Sequence, residues 1–206
     1  MHGRAAFDDV VHDVDELRTH FREPSETVQR KQIDHLDANC RAFIAHAPFV
    51  LVATANADGT CDVSPKGGPP GFVAVLDEHR LAIGDLPGNN RIDSLRNVVT
   101  NPYVGLLFVV PGMGETLRVN GRAWVVRDAA VLDACEVHDR RPAVALGVEV
   151  AEAYVHCAKA FRRSNLWEPD AWPDRDAVPT AAAMLRDHIG LHDVAVEAVE
   201  QALEDG

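Results

Sequence analysis

The chain has 206 residues, 47% of them hydrophobic and 25% charged, with a net charge of −12 at neutral pH. That length suffices for one domain with a full hydrophobic core. An acidic chain of this kind repels nucleic acid and anionic membrane unless a basic patch is concentrated locally, and the pairs Arg140-Arg141 and Arg162-Arg163 are too short to make one. Cys40, Cys61, Cys135 and Cys157 form no CxxC motif, and scattered cysteines read as reduced thiols of a cytosolic protein. No apolar run approaches the roughly 18 residues of a membrane helix. The start MHGRAAFDDVVHD has no signal-peptide core. A soluble, cytoplasmic protein without membrane or nucleic-acid partners is expected.

Residues 8–46 are predicted helical. FDDVVHDVDELRTHF is weakly amphipathic and ends at Pro24; Ser25 then caps a second helix. Ile33, Leu36, Cys40, Phe43, Ile44 and Ala47 recur at three- and four-residue spacing, giving one apolar face, and Pro48 ends the run. FVLVATANADGTCDVSPKG then reads as two strands about a turn at Asp58-Gly59. Phe72 to Leu76 and Arg80 to Ile83 form a second pair. Ile92 to Val99 is a short helix. Tyr103 to Val110 is apolar without alternation and predicts a strand buried on both faces. ETLRVNGRAWVV alternates as a long strand, Asp128 caps a short helix to Val137, and Ala143 to Tyr154 is strand again. Short turns between strands favour an antiparallel barrel over parallel βαβ units. Prolines make the stretch after Cys157 irregular, and Thr180 opens a helical end interrupted at Gly190.

Three stretches have residues suited to binding chemistry. In DVSPKGGPPGF, glycines admit close approach of a ligand and Lys66 offers a positive charge; the same stretch fits a stiff surface turn with a solvated lysine. In GNNRIDSLRN, the start of a helix combines unpaired N–H groups with Arg91 and Ser94, a combination suited to phosphate. Asn89 or Asn90 could equally cap that helix, with Arg91 in water. In GETLRVNGR, Thr116, Arg118 and Asn120 share one strand face, which is either simply wet or lines a ligand groove. No GxGxxG, P-loop or GxSxG motif is present. His188 and His192 are four apart but lack an acidic companion, so no metal site is expected. The four cysteines read as structural thiols, and His156 as a packing histidine whose polar atoms are satisfied.

The order DVSPKG, FVAVLDEHRLAIGD, GNNR-I-x-SLRN, NPYVGLLF and GETLRVNGRA resembles the pyridoxamine 5′-phosphate oxidase-like flavoproteins, closely over residues 45 to 127 and more loosely at AKAFRRSNLW. The resemblance implies an FMN-binding split β-barrel: mainly β with flanking helices (α+β), antiparallel and homodimeric. Residues 1–206 would form a single domain, with N-terminal helices at about 8–46 and a C-terminal helical tail at about 180–206. FMN would lie at the interface of the homodimer. Val63, Ser64, Pro65 and Lys66 match the strand beside the flavin. Asn89, Asn90, Arg91 and Ser94 match the segment that grips the phosphate. Thr116 matches a position at the flavin edge, and Arg162, Ser164 and Trp167 match a tail that reaches toward the cofactor.

An oxidoreductase transferring electrons or hydride between FMN and a small organic substrate is the activity so implied. The alternatives are a non-catalytic flavin protein for storage or sensing, and a split barrel using deazaflavin F420 or haem. The C-terminus GLHDVAVEAVEQALEDG is acidic and amphipathic, whereas the vitamin B6 oxidase itself ends in a basic, aromatic tail. The resemblance therefore points to an uncharacterised bacterial branch rather than to that enzyme.

Overall fold

A computed structural model describes residues 7–86, 88 and 90–204. The chain divides into two compact units, one ending at Lys159 and one beginning at Ala160. The expected phosphate residue Asn89 lies outside the described residues.

The first unit opens with α1 (Val14–Thr19), capped by Asp13, and α2 (Glu26–Arg30). The single helix expected from Ser25 to Ala47 is not formed. Ile33 instead makes a two-hydrogen-bond bridge to Ala153 (3.0 and 2.7 Å), which ends the helical path. Asp37 then starts α3 (Ala38–His46) by accepting from Cys40 N at 2.7 Å. The predicted apolar stripe survives the break: Leu36, Cys40, Ile44 and Ala47 are all buried.

Seven strands follow: β1 (Phe49–Ala55), β2 (Cys61–Gly67), β3 (Val73–Val75), β4 (Arg80–Gly84), β5 (Tyr103–Val109), β6 (Thr116–Val126) and β7 (Ala145–His156). They form one sheet in the order β2-β1-β5-β6-β7-β4-β3, with every neighbouring pair antiparallel. The predicted turn closes β1 to β2, with Asn56 Oδ1 accepting from Asp58 N (2.9 Å) and Thr60 N (3.0 Å). Gly59 supplies its positive φ of 85°. Helix α4 (Asp93–Thr100) links β4 to β5, and α5 (Ala129–Ala134) links β6 to β7.

One face of the sheet packs on the core formed by Val50, Val52, Leu81, Leu106, Phe108, Val119 and Val148, closed by Leu36 and Ile44. β5 is not buried on both faces, contrary to its sequence pattern. Val104, Leu106 and Phe108 are buried, while Tyr103 on the alternate face is 68% exposed. The outer face of β2, β1 and β5 also exposes Val63 (60%) and Phe49 (37%). Apolar runs alone do not say which chain covers a strand.

β7 contains a bulge. Glu152 stands opposite Asn120 and Val150 opposite Gly121, so Ala151 has no partner on β6. A Cβ on Gly121 would stand 2.0 Å from the carbonyl oxygen of Glu149. Only glycine permits that approach.

The second unit contains α6 (Lys159–Ser164, beginning one residue before the boundary), two single 3-10 turns at Pro169–Ala171 and Arg175–Ala177, and the paired helices α7 (Ala181–His188) and α8 (Val196–Glu204). Thr180 caps α7 as expected. Phe161 and Trp167 stack at 5.7 Å, and Trp172 Nε1 donates to Leu166 O at 3.0 Å. Among the described residues no helix is long and apolar enough to cross a membrane.

Candidate functional site

On β2, Asp62, Ser64 and Lys66 alternate with Cys61, Val63, Pro65 and Gly67. The first set is half-buried and the second exposed. Period-two geometry therefore points Asp62, Ser64 and Lys66 to one side of the strand. The chain after β4 and the start of α4 face them. Between them lies a cleft of about 250 Å³, lined by Val63, Ser64, Pro65, Lys66, Asn90, Arg91 and Ser94 together with Asp62, Asp85 and Asp93. Seven of the twelve sequence-predicted site residues thus converge on one hollow.

The start of α4 is unusual. Its N-cap position is Ile92, at φ 50°, and no side chain caps the helix. Asn90 is also left-handed, at φ 59°. The capping role open to Asn90 in the sequence is not observed. A β-branched residue at positive φ is strained, and such strain concentrates where ligands bind. The strain brackets Arg91 and leaves first-turn N–H groups without a side-chain cap, the arrangement that favours an anion.

Each cation in the cleft meets a carboxylate. Arg91 Nε donates to Asp93 Oδ2 at 2.8 Å, and Lys66 Nζ lies 3.7 Å from Asp85 Oδ1. Ser94 Oγ donates to Asp62 Oδ2 at 3.1 Å. Asn97, one turn further along α4, donates to the buried Thr54 hydroxyl at 3.0 Å and fixes the helix against β1. Asp62, Asp85, Asp93 and Asn97 were not predicted. Asp62 was legible, because it shares the alternation of Ser64 and Lys66. Asp85 reaches Lys66 only through the fold.

The other described residues of the predicted set are not among those lining the cleft. Thr116 is 2% exposed, on β6, directly opposite His156. Arg162, Ser164 and Trp167 belong to the second unit, where Ser164 Oγ donates to Phe161 O at 3.1 Å. His156 departs from its expected satisfied state: its Nδ1 is buried with no hydrogen-bond partner. Burial, and then the nearby charges of Arg118 and Lys31, hold its imidazole below the usual histidine pKa. Burial pushes the Cys40 thiol up to about 11 and raises Cys135 as well, while Cys61 and Cys157 are exposed. A larger hollow, about 550 Å³, lies between α5 and strands β4, β6 and β7, walled by Trp124, Val126 and Val131.

The donors of the β2–α4 cleft suit an FMN phosphate chemically: an uncapped helix start, a guanidinium, an ammonium and two hydroxyls. Its volume falls below the roughly 300–1,000 Å³ of complete ligand pockets, so it accommodates part of such a ligand.

The fold and cleft together define a split β-barrel of α+β class with a polar, small-ligand cleft at the end of β2. The family model described as pyridoxamine 5′-phosphate oxidase matches residues 36–157, more than half the chain, and the protein belongs to that family. No curated protein matches the sequence. Among solved structures, HupZ from Group A Streptococcus is 18% identical with a TM-score of 0.47, covering 58% of this chain and 92% of its own. A Clostridium acetobutylicum protein related to general stress protein 26, of the pyridoxinephosphate oxidase family, is 13% identical with a TM-score of 0.43, covering 58% and 86%. HutZ, described as the heme storage protein of Vibrio cholerae, is 14% identical with a TM-score of 0.38, covering 59% and 94%.

Proposed function

We propose that the chain is an FMN-dependent oxidoreductase acting on a small organic substrate, with FMN held in the β2–α4 cleft of a homodimer. The supporting observation is the uncapped, strained start of α4 at Arg91, facing Ser64 and Lys66 across the cleft. FMN, when bound, supplies the hydride or electron transfer that side chains cannot.

In this reading Arg91, Ser94, Asn90 and Asn89 hold the phosphate. Asp93 orients the Arg91 guanidinium, and Asp62 the Ser94 hydroxyl. Val63, Ser64, Pro65 and Lys66 run beside the flavin, and Lys66 places a positive charge there, steadied by Asp85. Thr116, Arg162, Ser164 and Trp167 complete the site. Thr116 shares the strand face of Arg118 and Asn120, opposite the core-facing Leu117 and Val119, so a second protomer is the source that brings it to the flavin. The small cleft and the exposed Phe49, Val63 and Tyr103 on the outer face support the same dimer.

The visible spectrum of the purified protein, followed during addition of NADH, NADPH and candidate amines, tests the reading. Flavin bands that bleach on reduction are expected. A Soret band would remove FMN as the cofactor, and flavin that no donor reduces and that shows no oxygen-coupled turnover would remove the enzyme. Light scattering should give two chains per particle; a monomer that retains FMN would sink the interface site.

A further inference from the structure

A second group of charges lies on the outer face of β6 and β7, and nothing in the FMN reading uses it as a group. Arg118 and Tyr154 are directly opposite across the two strands, as are Thr116 and His156 two residues along. Arg118 Nη1 donates to the Tyr154 hydroxyl at 2.9 Å, and its guanidinium lies 5.6 Å from the ring centre. Lys31 arrives from the N-terminal segment, held there by the Ile33–Ala153 bridge. Its Nζ donates to Val155 O at 2.9 Å and lies 5.3 Å from the centre of the same ring.

Two permanent cations thus share one aromatic ring, and among the described residues neither has a carboxylate within 4 Å. The carboxylate next along this face, Glu152, accepts from the neutral amides of Gln32 and Asn120. Beside the cations sits His156, whose buried Nδ1 has no partner. Two half-buried like charges without a counter-charge repel. One ligand chemistry relieves that repulsion: an oxyanion that accepts from Arg118 and Lys31.

We propose that Lys31 and Arg118, with His156 beside them, form a binding site for a doubly charged oxyanion of phosphate type on a small molecule. Two fixed positive charges match a dianion. Arg118 supplies a planar fork and Lys31 a mobile ammonium. The site needs no FMN to form, but it shares the face of Thr116, which the FMN reading brings to the flavin. Because Thr116 faces His156, an anion held here lies beside whatever Thr116 contacts.

The test follows the imidazole proton resonances of His156 during titration with inorganic phosphate, with chloride at matched ionic strength as control. A saturable phosphate-dependent shift is expected, weakened about tenfold or more in Arg118→Gln, the least a charge-assisted hydrogen bond is worth. Lys31→Gln, on a half-buried residue outside the sheet, should weaken it in the same direction and serves if Arg118→Gln does not fold. Arg91→Ala should leave it unchanged. The proposal is overturned if chloride moves the signals as phosphate does, if both Arg118→Gln and Lys31→Gln respond like the native chain, or if Arg91→Ala abolishes the response.

Discussion

The β2–α4 cleft and the outer face of β6–β7 hold their cations in opposite ways. In the cleft, Arg91 and Lys66 each meet an aspartate, and Asp62 takes the Ser94 hydroxyl. On the outer face, Arg118 and Lys31 lean on Tyr154 while the neighbouring Glu152 is engaged by amides. The cations of the cleft are paired before any ligand enters, so their side chains are oriented and an incoming phosphate must exchange partners. The outer face is unbalanced, and an anion there would relieve repulsion. Pre-orientation favours a fixed cofactor; charge imbalance favours a ligand that comes and goes.

The largest expected effect is on the frame that creates the outer face. Gly121→Ala should cost upwards of about 3 kcal/mol in urea unfolding, because its Cβ would press on the Glu149 carbonyl at the bulge that aligns Glu152, Tyr154 and His156. A change near zero would mean that the bulge relaxes freely and that the face is not fixed. A paired comparison separates the two regions. Ser94→Ala and Tyr154→Phe each remove one hydrogen bond to a charged group and should each cost about 1.5–3 kcal/mol in the same measurement. Only Tyr154→Phe should move the His156 resonances; if Ser94→Ala moves them as well, the regions are coupled.

Stability should also depend on pH through His156. Its pKa is lower in the folded chain than the ordinary value of 6.5, so protons bind the unfolded chain more tightly. This contribution is fully present above about pH 6.5 and is lost as pH falls from there toward the folded-state pKa. His156→Gln should flatten the unfolding curve across that window; an unchanged slope would exclude His156 as its source. The smallest effect is chemical. A thiol reagent should label Cys61, beside the cleft, and Cys157, beside His156, while buried Cys40 and Cys135 react only after denaturation. Early labelling of Cys40 would mean that α3 opens readily.

The contrast also separates what the sequence makes legible from what it does not. Alternation in DVSPKG puts Asp62, Ser64 and Lys66 on one side of β2, and the expected Asp58-Gly59 turn joins β1 to β2. Both are local periodicities. Ser64, Lys66, Asn90 and Arg91 meet in one cleft. The partners that finish each site came from distant segments. Asp85 reaches Lys66 only after β4 has crossed the sheet, and Lys31 reaches Tyr154 only because Ile33 left the predicted helix to pair with Ala153. Helical spacing from Ile33 to Ala47 concealed that break, since the same apolar residues serve the core with or without it. The orphaned nitrogen of His156 had no local signal: its isolation follows from how β6 and β7 align.

The central claim rests on Arg91. Titration of the cofactor-free protein with FMN, followed by flavin fluorescence, tests it most directly in the native chain and in Arg91→Ala. The native protein should bind one FMN per chain, and Arg91→Ala should weaken binding by about 1.5–3 kcal/mol, the worth of a hydrogen bond to a charged group. Equal affinity in the two proteins would place the phosphate away from α4 and contradict the account.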